Sequence, residues 1–390
     1  MKFKFGLLPR IIVAIALGVL IGSFAPEWMA RAFATFTTLF GNFLNFVVPL
    51  IILGFIAPGI AKLGKGSGKL LGLATGFAYA STIVAGIIAF FAATTILPNF
   101  MEKGSMNGID DPANSLAASF IEITMDPVFG VMSALILAFL LGIGMASTGS
   151  KTMISFFEEF QLIIEKTISY VIIPLLPFHI FGIFANMAYG GAVAEILSLF
   201  AVVFVLIIIL HWLMLLLQYT TAGTLTKKNP LFLLKTMLPA YFTALGTQSS
   251  AATIPVTVRQ ARKTGANERV VDFAVPLFAT IHLSGSTITL VSCAIGVMFL
   301  TGQSPAFADF MPFILMLGVT MIAAPGVPGG AVMAAIGLLE VMLGFDPTMV
   351  ALMIALYMAQ DSFGTATNVT GDGALAIIVD RFTNGKKSLE

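Results

Sequence analysis

The sequence predicts an all-α, polytopic membrane protein, and three observations carry that expectation. The chain is 58% hydrophobic and only 10% charged over 390 residues, with a mean hydropathy of +1.00, which is more apolar surface than a soluble domain needs. Its apolar runs reach the roughly 20 residues that a helix needs to cross a bilayer. Its basic residues gather in alternate loops, as they do in multi-pass proteins. The net charge of +1 carries no information about partners, and no feature of the chain points to nucleic acid. The lone cysteine, Cys293, lies in an apolar run, which excludes a disulfide framework.

Taken in order, the pattern gives eight transmembrane helices and two re-entrant helical hairpins. The first span covers about 7–24; it follows a basic N-terminus, shows no small-residue cleavage site and is read as retained. The second, about 32–60, carries Pro49 and Pro58, which suggest bends. The third runs over about 70–97, and a polar loop at 98–115 follows it. The fourth covers about 128–146. The fifth, about 163–187, is interrupted by Pro174 and Pro177, and the sixth covers about 196–217.

Beyond the sixth span the pattern changes. Residues 230–259 are too interrupted for a simple span, and their centre, Gly246-Thr-Gln-Ser-Ser-Ala-Ala-Thr-Ile-Pro255, is small and polar between apolar flanks. That composition fits a hairpin that enters the membrane and turns back. A seventh span, about 271–300, is interrupted at His282-Leu-Ser-Gly-Ser-Thr287. A second hairpin covers about 310–343 with the tip Pro325-Gly-Val-Pro-Gly-Gly330, and the eighth span covers about 348–379.

The loop charges orient these elements. Lys2, Lys4, Arg10, Lys62, Lys65, Lys69, Lys151, Lys166, Lys227, Lys228, Lys235, Arg259, Arg262, Lys263, Arg269, Arg381, Lys386 and Lys387 fall on one side; Arg31 and Lys103 fall on the other. The positive-inside rule places both termini in the cytoplasm of a protein of the cell (inner) membrane. It also makes both hairpins re-entrant, the first from inside and the second from outside. Hairpin plus span then occurs twice with opposite entry, an inverted repeat. Each span of the repeat is expected to break at a Gly-(Ser/Thr) step, Gly285-Ser-Thr-Ile-Thr289 and Gly364-Thr-Ala-Thr367. Inverted repeats with broken helices mark the midplane sites of many secondary transporters.

The eighth span carries the chemistry. At about 100° per residue, Asp361, Thr365, Asn368 and Asp372 stand at i, i+4, i+7 and i+11 and share a stripe roughly 60° wide. Two carboxylates at membrane depth require protein, water or a cation to face them. Hairpin tips offer free amides at helix N-termini to an anionic carboxylate, with Ser249 and Ser250 adding hydroxyls. Freed carbonyls at helix C-termini suit a desolvated Na⁺. Asp361 is placed to pair with an ammonium and Asp372 to neutralise a cation. His282 is a candidate proton-titrating or ligating group, whereas His179 and His211 read as structural. There is no nucleotide loop, metal-protease spacing or nucleophile triad, and no cofactor is implied. An ion-driven transporter is expected, not an enzyme or an ATP-driven pump, and the concentration of polarity at one depth argues against a continuous pore.

These residues resemble the glutamate-transporter-like family of dicarboxylate/amino acid:cation symporters. Thr247-Gln-Ser-Ser-Ala-Ala-Thr-Ile-Pro-Val-Thr257 is similar to its serine-rich first hairpin, Gly326-Val-Pro-Gly-Gly330 to its second tip, and Asn368-Val-Thr-Gly-Asp372 to its eighth-span signature. The order of spans and hairpins matches throughout. The resemblance implies a homotrimer embedded in the lipid bilayer and an elevator mechanism. Its scaffold would be residues 1–69 and 98–190, and its transport domain residues 70–97 and 191–390. It also implies substrate contacts at Ser249, Ser250, Ser286, Asp361, Thr365 and Asn368, with backbone at Gly326 and Val327 closing the outer gate. Cation sites would use Asp372 and Asn368, with carbonyls near Phe278, Thr280 and His282.

The chain also departs from the family. The family's Asn-Met-Asp-Gly-Thr is His282-Leu-Ser-Gly-Ser286, so the carboxylate of one further Na⁺ site is Ser284. Tyr79 and Thr82 match the third-span ligands of that site. The arginine that grips an acidic substrate side chain falls at Gly364, and its supporting arginine at Gln248 or Ser362. A buried carboxylate without a partner is strongly disfavoured, so a small neutral amino acid, moved with Na⁺, is the expected solute. The alternatives are a proton- or Na⁺-coupled symporter of a dicarboxylate or other organic anion, with His282 titrating in the proton-coupled case, and a substrate-independent anion channel.

Overall fold

The computed structural model describes residues 7–63, 68–100, 103–104, 117–121, 123–128, 130–191, 193–321 and 329–383; every regular element among them is helical. The helices are α1 (Leu7–Gly22), α2 (Glu27–Leu63), α3 (Gly68–Ile96), α4 (Val131–Thr148), α5 (Lys151–Thr167), α6 (Ile173–Tyr189) and α7 (Val193–Thr226). They continue with α8 (Pro230–Thr247), α9 (Ser250–Lys263), α10 (Glu268–Ile281), α11 (Ser284–Leu300), α12 (Phe307–Met321), α13 (Gly330–Leu343) and α14 (Pro347–Thr383). Five described stretches are long and apolar enough to cross a membrane: Leu70–Asn99, Lys151–Asn186, Phe200–Thr226, Glu268–Leu300 and Pro347–Thr383. They correspond to the expected third, fifth, sixth, seventh and eighth spans.

Local chemistry accounts for several of the boundaries. Asn229 caps α8 by accepting from the Leu231 and Phe232 amides, with Pro230 in the first turn, where its missing N–H is not needed. Asn267 caps α10 by accepting from Arg269 N–H at 3.0 Å. Between α5 and α6 the rod continues through a π-helical turn, Ile168–Ile172. Pro174 cannot donate to the carbonyl four residues back and its ring crowds it; one widened turn absorbs both effects, and the chain stays helical where an interruption was expected.

α8 and α9 pack on each other across a two-residue link, Gln248 and Ser249, and α12 packs on α13. At 18, 14, 15 and 14 residues, these helices span only about 21–27 Å each. Of the second tip, Pro325 to Pro328, including Gly326 and Val327, lie outside the described residues, and Gly329 and Gly330 are described. Most contacts fall into two groups, which meet where α13 packs on α2 and α4 and α14 packs on α1. α1, α2, α4, α5 and α6 pack among themselves, and α3 packs with α7 and α10–α12 and on α14, which also lies against α8–α10.

The two central spans are shielded. In Glu268–Leu300 and Pro347–Thr383, 89% of the most apolar window is buried, against 39% in Leu70–Asn99 and Phe200–Thr226. α14 feeds two apolar clusters. Its residues from 349 to 358 pack with α11, α12 and α13, and Ala366, Val369 and Ala374–Val379 pack with α8 and α10. The buried polar side chains of α14 and of the α10–α11 junction lie between and beside these clusters.

The two expected breaks have different outcomes. The seventh span does break, at His282 (φ −110°, ψ 102°) and Leu283, and the helix resumes at Ser284. The eighth does not: α14 runs unbroken through Gly364. Gly364 and Gly285 serve close approach instead of a kink. A Cβ on Gly285 would come within 2.5 Å of the Gly364 carbonyl oxygen, so the helices meet backbone to backbone.

A similar contact joins α1 to α6, where a Cβ on Gly22 would stand 2.2 Å from the Ala185 carbonyl oxygen. Gly22→Ala is expected to cost about 1–3 kcal/mol by forcing the helices apart and to lower the midpoint of thermal unfolding in detergent. Gly76→Ala, where nothing lies within 4 Å, should leave the midpoint unchanged or raise it. Equal midpoints for the two variants would contradict this packing.

Candidate substrate and cation site

The helical period of α14 brings Asp361, Thr365, Asn368 and Asp372 to one buried face. The opposing wall is the broken span. Asn368 joins the two: its Oδ1 accepts from Gly285 N–H at 2.7 Å and Ser286 N–H at 3.3 Å, and its Nδ2 donates to Ser286 Oγ at 2.9 Å. From the far side, His211 Nε2–H donates to the Gly285 carbonyl at 3.0 Å. The first peptides of α11 are therefore fixed from both sides.

Asp361, on α14, meets the N-terminus of α13. Gly329 N–H donates to its Oδ2 at 2.7 Å, so the carboxylate caps the N-terminus of α13, where the helix dipole favours negative charge. Gly329 holds φ +75°, a left-handed conformation suited to glycine. Thr365 is buried beside Asp361 on the same face. At the first hairpin, Ser249 caps α9 by accepting from Ala252 N–H at 3.3 Å, and Ser250 is its half-buried first residue. Gln248 closes α8 in a left-handed conformation, φ +53°.

At the other end of the stripe, His282 Nδ1 lies 2.8 Å from Asp372 Oδ1, with both side chains almost fully buried. His282 Nε2 stands 3.0 Å from Ser81 Oγ and 3.3 Å from Gln218 Nε2. Gln218 Nε2 also donates to Ser81 Oγ at 3.0 Å and Ser284 Oγ at 3.3 Å. An amide nitrogen only donates. In this orientation Gln218 Oε1 is buried with no partner among the described residues; with the amide reversed it would accept from His282 Nε2–H, so either ring nitrogen can carry the hydrogen. Asp372 is held through that one oxygen, Oδ1. Its second oxygen, Oδ2, is buried with no partner among the described residues.

This orphaned oxygen is what an oxygen-seeking cation fits. α10 ends at Ile281, and the break leaves its last carbonyls without helix partners; such carbonyls and an anionic oxygen form a donor set suited to Na⁺. Phe278 is fully buried, and its carbonyl accepts from His282 N–H at 2.9 Å. Thr280 is exposed, and its hydroxyl donates to the Leu277 carbonyl. Tyr79 and Thr82, matched above to third-span ligands, both donate to backbone carbonyls. Tyr79 donates to the Leu315 carbonyl and Thr82 to the Ala78 carbonyl of its own helix. The third-span side chain that reaches the pair is Ser81.

Sequence reasoning missed Ser81 and Gln218; His211, read as structural, holds the Gly285 carbonyl. Gln218 had a signal, as an amide directly after an apolar run. Ser81 differs from its neighbours only in the direction it faces.

A multi-pass helical bundle with a shielded acidic stripe facing a broken helix is the architecture of a membrane transporter, not of an enzyme. The comparisons make the class specific. The model of the sodium:dicarboxylate symporter family matches residues 7–382, and the chain belongs to that family. Among curated proteins it is similar to the serine/threonine transporter SstT of Acinetobacter baylyi, at 26% identity covering 97% of this chain and 98% of the relative. It is also similar to the serine/threonine transporter SstT of Streptococcus agalactiae, at 23% identity covering 98% of each.

Removing one partner of a buried pair leaves the other group unmatched, at a cost of about 3–5 kcal/mol. His282→Ala and Asp372→Asn should each destabilise the protein. Together they should cost less than the sum, with a coupling of about 1–3 kcal/mol in a double-mutant cycle read by unfolding in detergent. Additive losses would show that the two side chains do not act as a pair.

Proposed function

We propose that this protein is a Na⁺-coupled symporter of a small neutral amino acid in the cell membrane. The observation that carries the reading is Asp372: a buried carboxylate whose one oxygen meets His282 Nδ1 and whose other oxygen has no partner among the described residues. Na⁺ bound there supplies the missing charge, with carbonyls at the end of α10 and near Asn368 as its other ligands. Asp361 takes the substrate ammonium beside the hairpin arm that already touches it. The substrate carboxylate goes to the N-terminal amides and hydroxyls of α9, Ser250 foremost, and Gly326 and Val327 close over it. Thr365, Ser286 and Asn368 line the pocket. Gly364 provides no cation for an acidic side chain, and the names of the relatives make serine and threonine the first candidates.

The same reading completes the architecture. α1, α2 and α4 supply spans one, two and four, and the two short-helix pairs are re-entrant hairpins of an inverted repeat. The mutually packed α1, α2, α4, α5 and α6 are the scaffold of a homotrimer. α3 and α7–α14 form the transport domain that moves as an elevator, and both termini are cytoplasmic. The short helices, the division of contacts and the loop charges support this.

A second reading has its own observation, the His282–Asp372 contact. If the Gln218 amide turns over and His282 gains a second proton, the pair becomes neutral without Na⁺, and protons drive transport.

Ligand-induced thermal stabilisation of detergent-purified protein separates the two. A ligand at about 100 times its dissociation constant adds about 2.7 kcal/mol. Serine or threonine should stabilise the wild type in Na⁺ and not in K⁺, and Asp372→Asn should raise the Na⁺ concentration required by at least about tenfold, the equivalent of one lost charge-assisted contact. Stabilisation at low pH without Na⁺ would instead select the proton reading.

A further inference from the structure

The ends of α7, α8, α9, α10 and α14 are knit into one rim. Lys228, between α7 and α8, donates from Nζ to the Thr264 carbonyl at 2.7 Å and to the Gly265 carbonyl at 3.2 Å, between α9 and α10. Arg262, in the last turn of α9, donates from Nη2 to both oxygens of Asp272 on α10 at 2.8 Å. Asn267 N–H, at the start of α10, donates to Asp380 Oδ2 near the end of α14 at 3.1 Å. The carboxylates of the rim are thereby engaged. Asp272 faces Arg262, Glu268 lies in the field of the same guanidinium, and Asp380 holds the Asn267 amide.

The other cations of the rim have no such partners. Lys227, Lys235, Arg259, Lys263, Arg269 and Arg381 are exposed, and none forms an ion pair with a described carboxylate. Exposed apolar side chains stand among them. Leu231 and Phe232 open α8 between Lys228 and Lys235, and Phe382 follows Arg381; they are 65%, 60% and 49% exposed. Cations interleaved with exposed apolar groups suit the boundary of a bilayer, where phosphates and acyl chains lie side by side. A water-soluble acidic partner would match only the charged half of this surface. The positive-inside rule accounts for an excess of Lys and Arg on this side, but not for its uneven distribution. On α5, in the other group of helices, Glu158 and Glu159 stand between the exposed Lys151 and Lys166.

We propose that this rim binds the headgroups of anionic membrane lipids, with Arg259 and Lys263 on one face of α9 and Arg269 across the loop as its centre. Their N–H groups hold the phosphodiester oxygens, and the exposed Leu231, Phe232 and Phe382 meet the upper acyl chain. Placing the rim at the inner leaflet rests on the orientation proposed above. The contact itself rests on neither that orientation nor the amino-acid reading of the site.

The test is the half-saturating concentration of a short-chain phosphatidylglycerol, read from the thermal unfolding midpoint of full-length protein in an uncharged detergent and a K⁺ buffer. Phosphatidylcholine of the same chain length and free glycerol phosphate are the comparisons, and only phosphatidylglycerol should raise the midpoint. Each cation near an anionic surface adds about fivefold in affinity. Arg259→Gln/Lys263→Gln/Arg269→Gln should therefore raise the half-saturating concentration about a hundredfold, and Lys151→Gln/Lys166→Gln on α5 should leave it unchanged. Equal stabilisation by phosphatidylcholine, an unchanged concentration in the triple variant, or an equal rise in the α5 variant overturns the proposal. Stabilisation by glycerol phosphate as large as that by the lipid also overturns it, in favour of a soluble anion. If the triple variant does not fold, Arg259→Gln and Arg269→Gln take its place singly, each with about a fivefold rise expected; no rise in either overturns the proposal. Because Na⁺ and amino acid are left out, every one of these outcomes is independent of the transport reading.

Discussion

A carboxylate at membrane depth costs several kcal/mol unless something of opposite charge or hydrogen-bonding character faces it, and Asp372 is buried there with one oxygen matched and one not. Much of the interior follows from that constraint. His282 is positioned by a break in its own helix, not by a regular turn, and its second nitrogen is held by Ser81 and Gln218 from α3 and α7. Four elements therefore converge on one pair. In the proposed reading the incomplete match is the functional part, because a fully satisfied pair would have no use for a coupling ion.

The same constraint explains why the central spans are hidden. α14 and the broken α10–α11 span carry the polar groups and are 89% buried over their most apolar windows, while α3 and α7 face outward over most of theirs. Irregular backbone and ionisable side chains are tolerated at this depth only when other helices shield them from lipid. The apolar clusters flanking the polar layer confine it to a narrow depth, which the elevator proposed above would require.

Much of this was legible in the sequence, because a 3.6-residue period is a local property. The face shared by Asp361, Thr365, Asn368 and Asp372 needs only helical geometry, and the interruption at His282 shows as polar residues inside an apolar run. Gly364 was misleading for a physical reason. A glycine-threonine step reads as a break, but a glycine also lets two helices touch, and only the partner at Gly285 decides between the two. The partners of His282 were not legible. Ser81 and Gln218 are 201 and 64 residues away, and nothing in their own segments distinguishes a serine or glutamine facing the site from one that stabilises its own helix. Gly326 and Val327 lie outside the described residues, so the outer gate rests on resemblance.

The measurement that tests the central claim most directly is serine uptake into proteoliposomes under separately imposed gradients of Na⁺ and of pH. The unmatched Asp372 oxygen predicts accumulation with an inward Na⁺ gradient at equal pH, and loss of that accumulation in Asp372→Asn. Accumulation driven by a pH gradient alone, with Na⁺ absent from both sides, would contradict the account and would make the His282–Asp372 pair the carrier of the coupling proton.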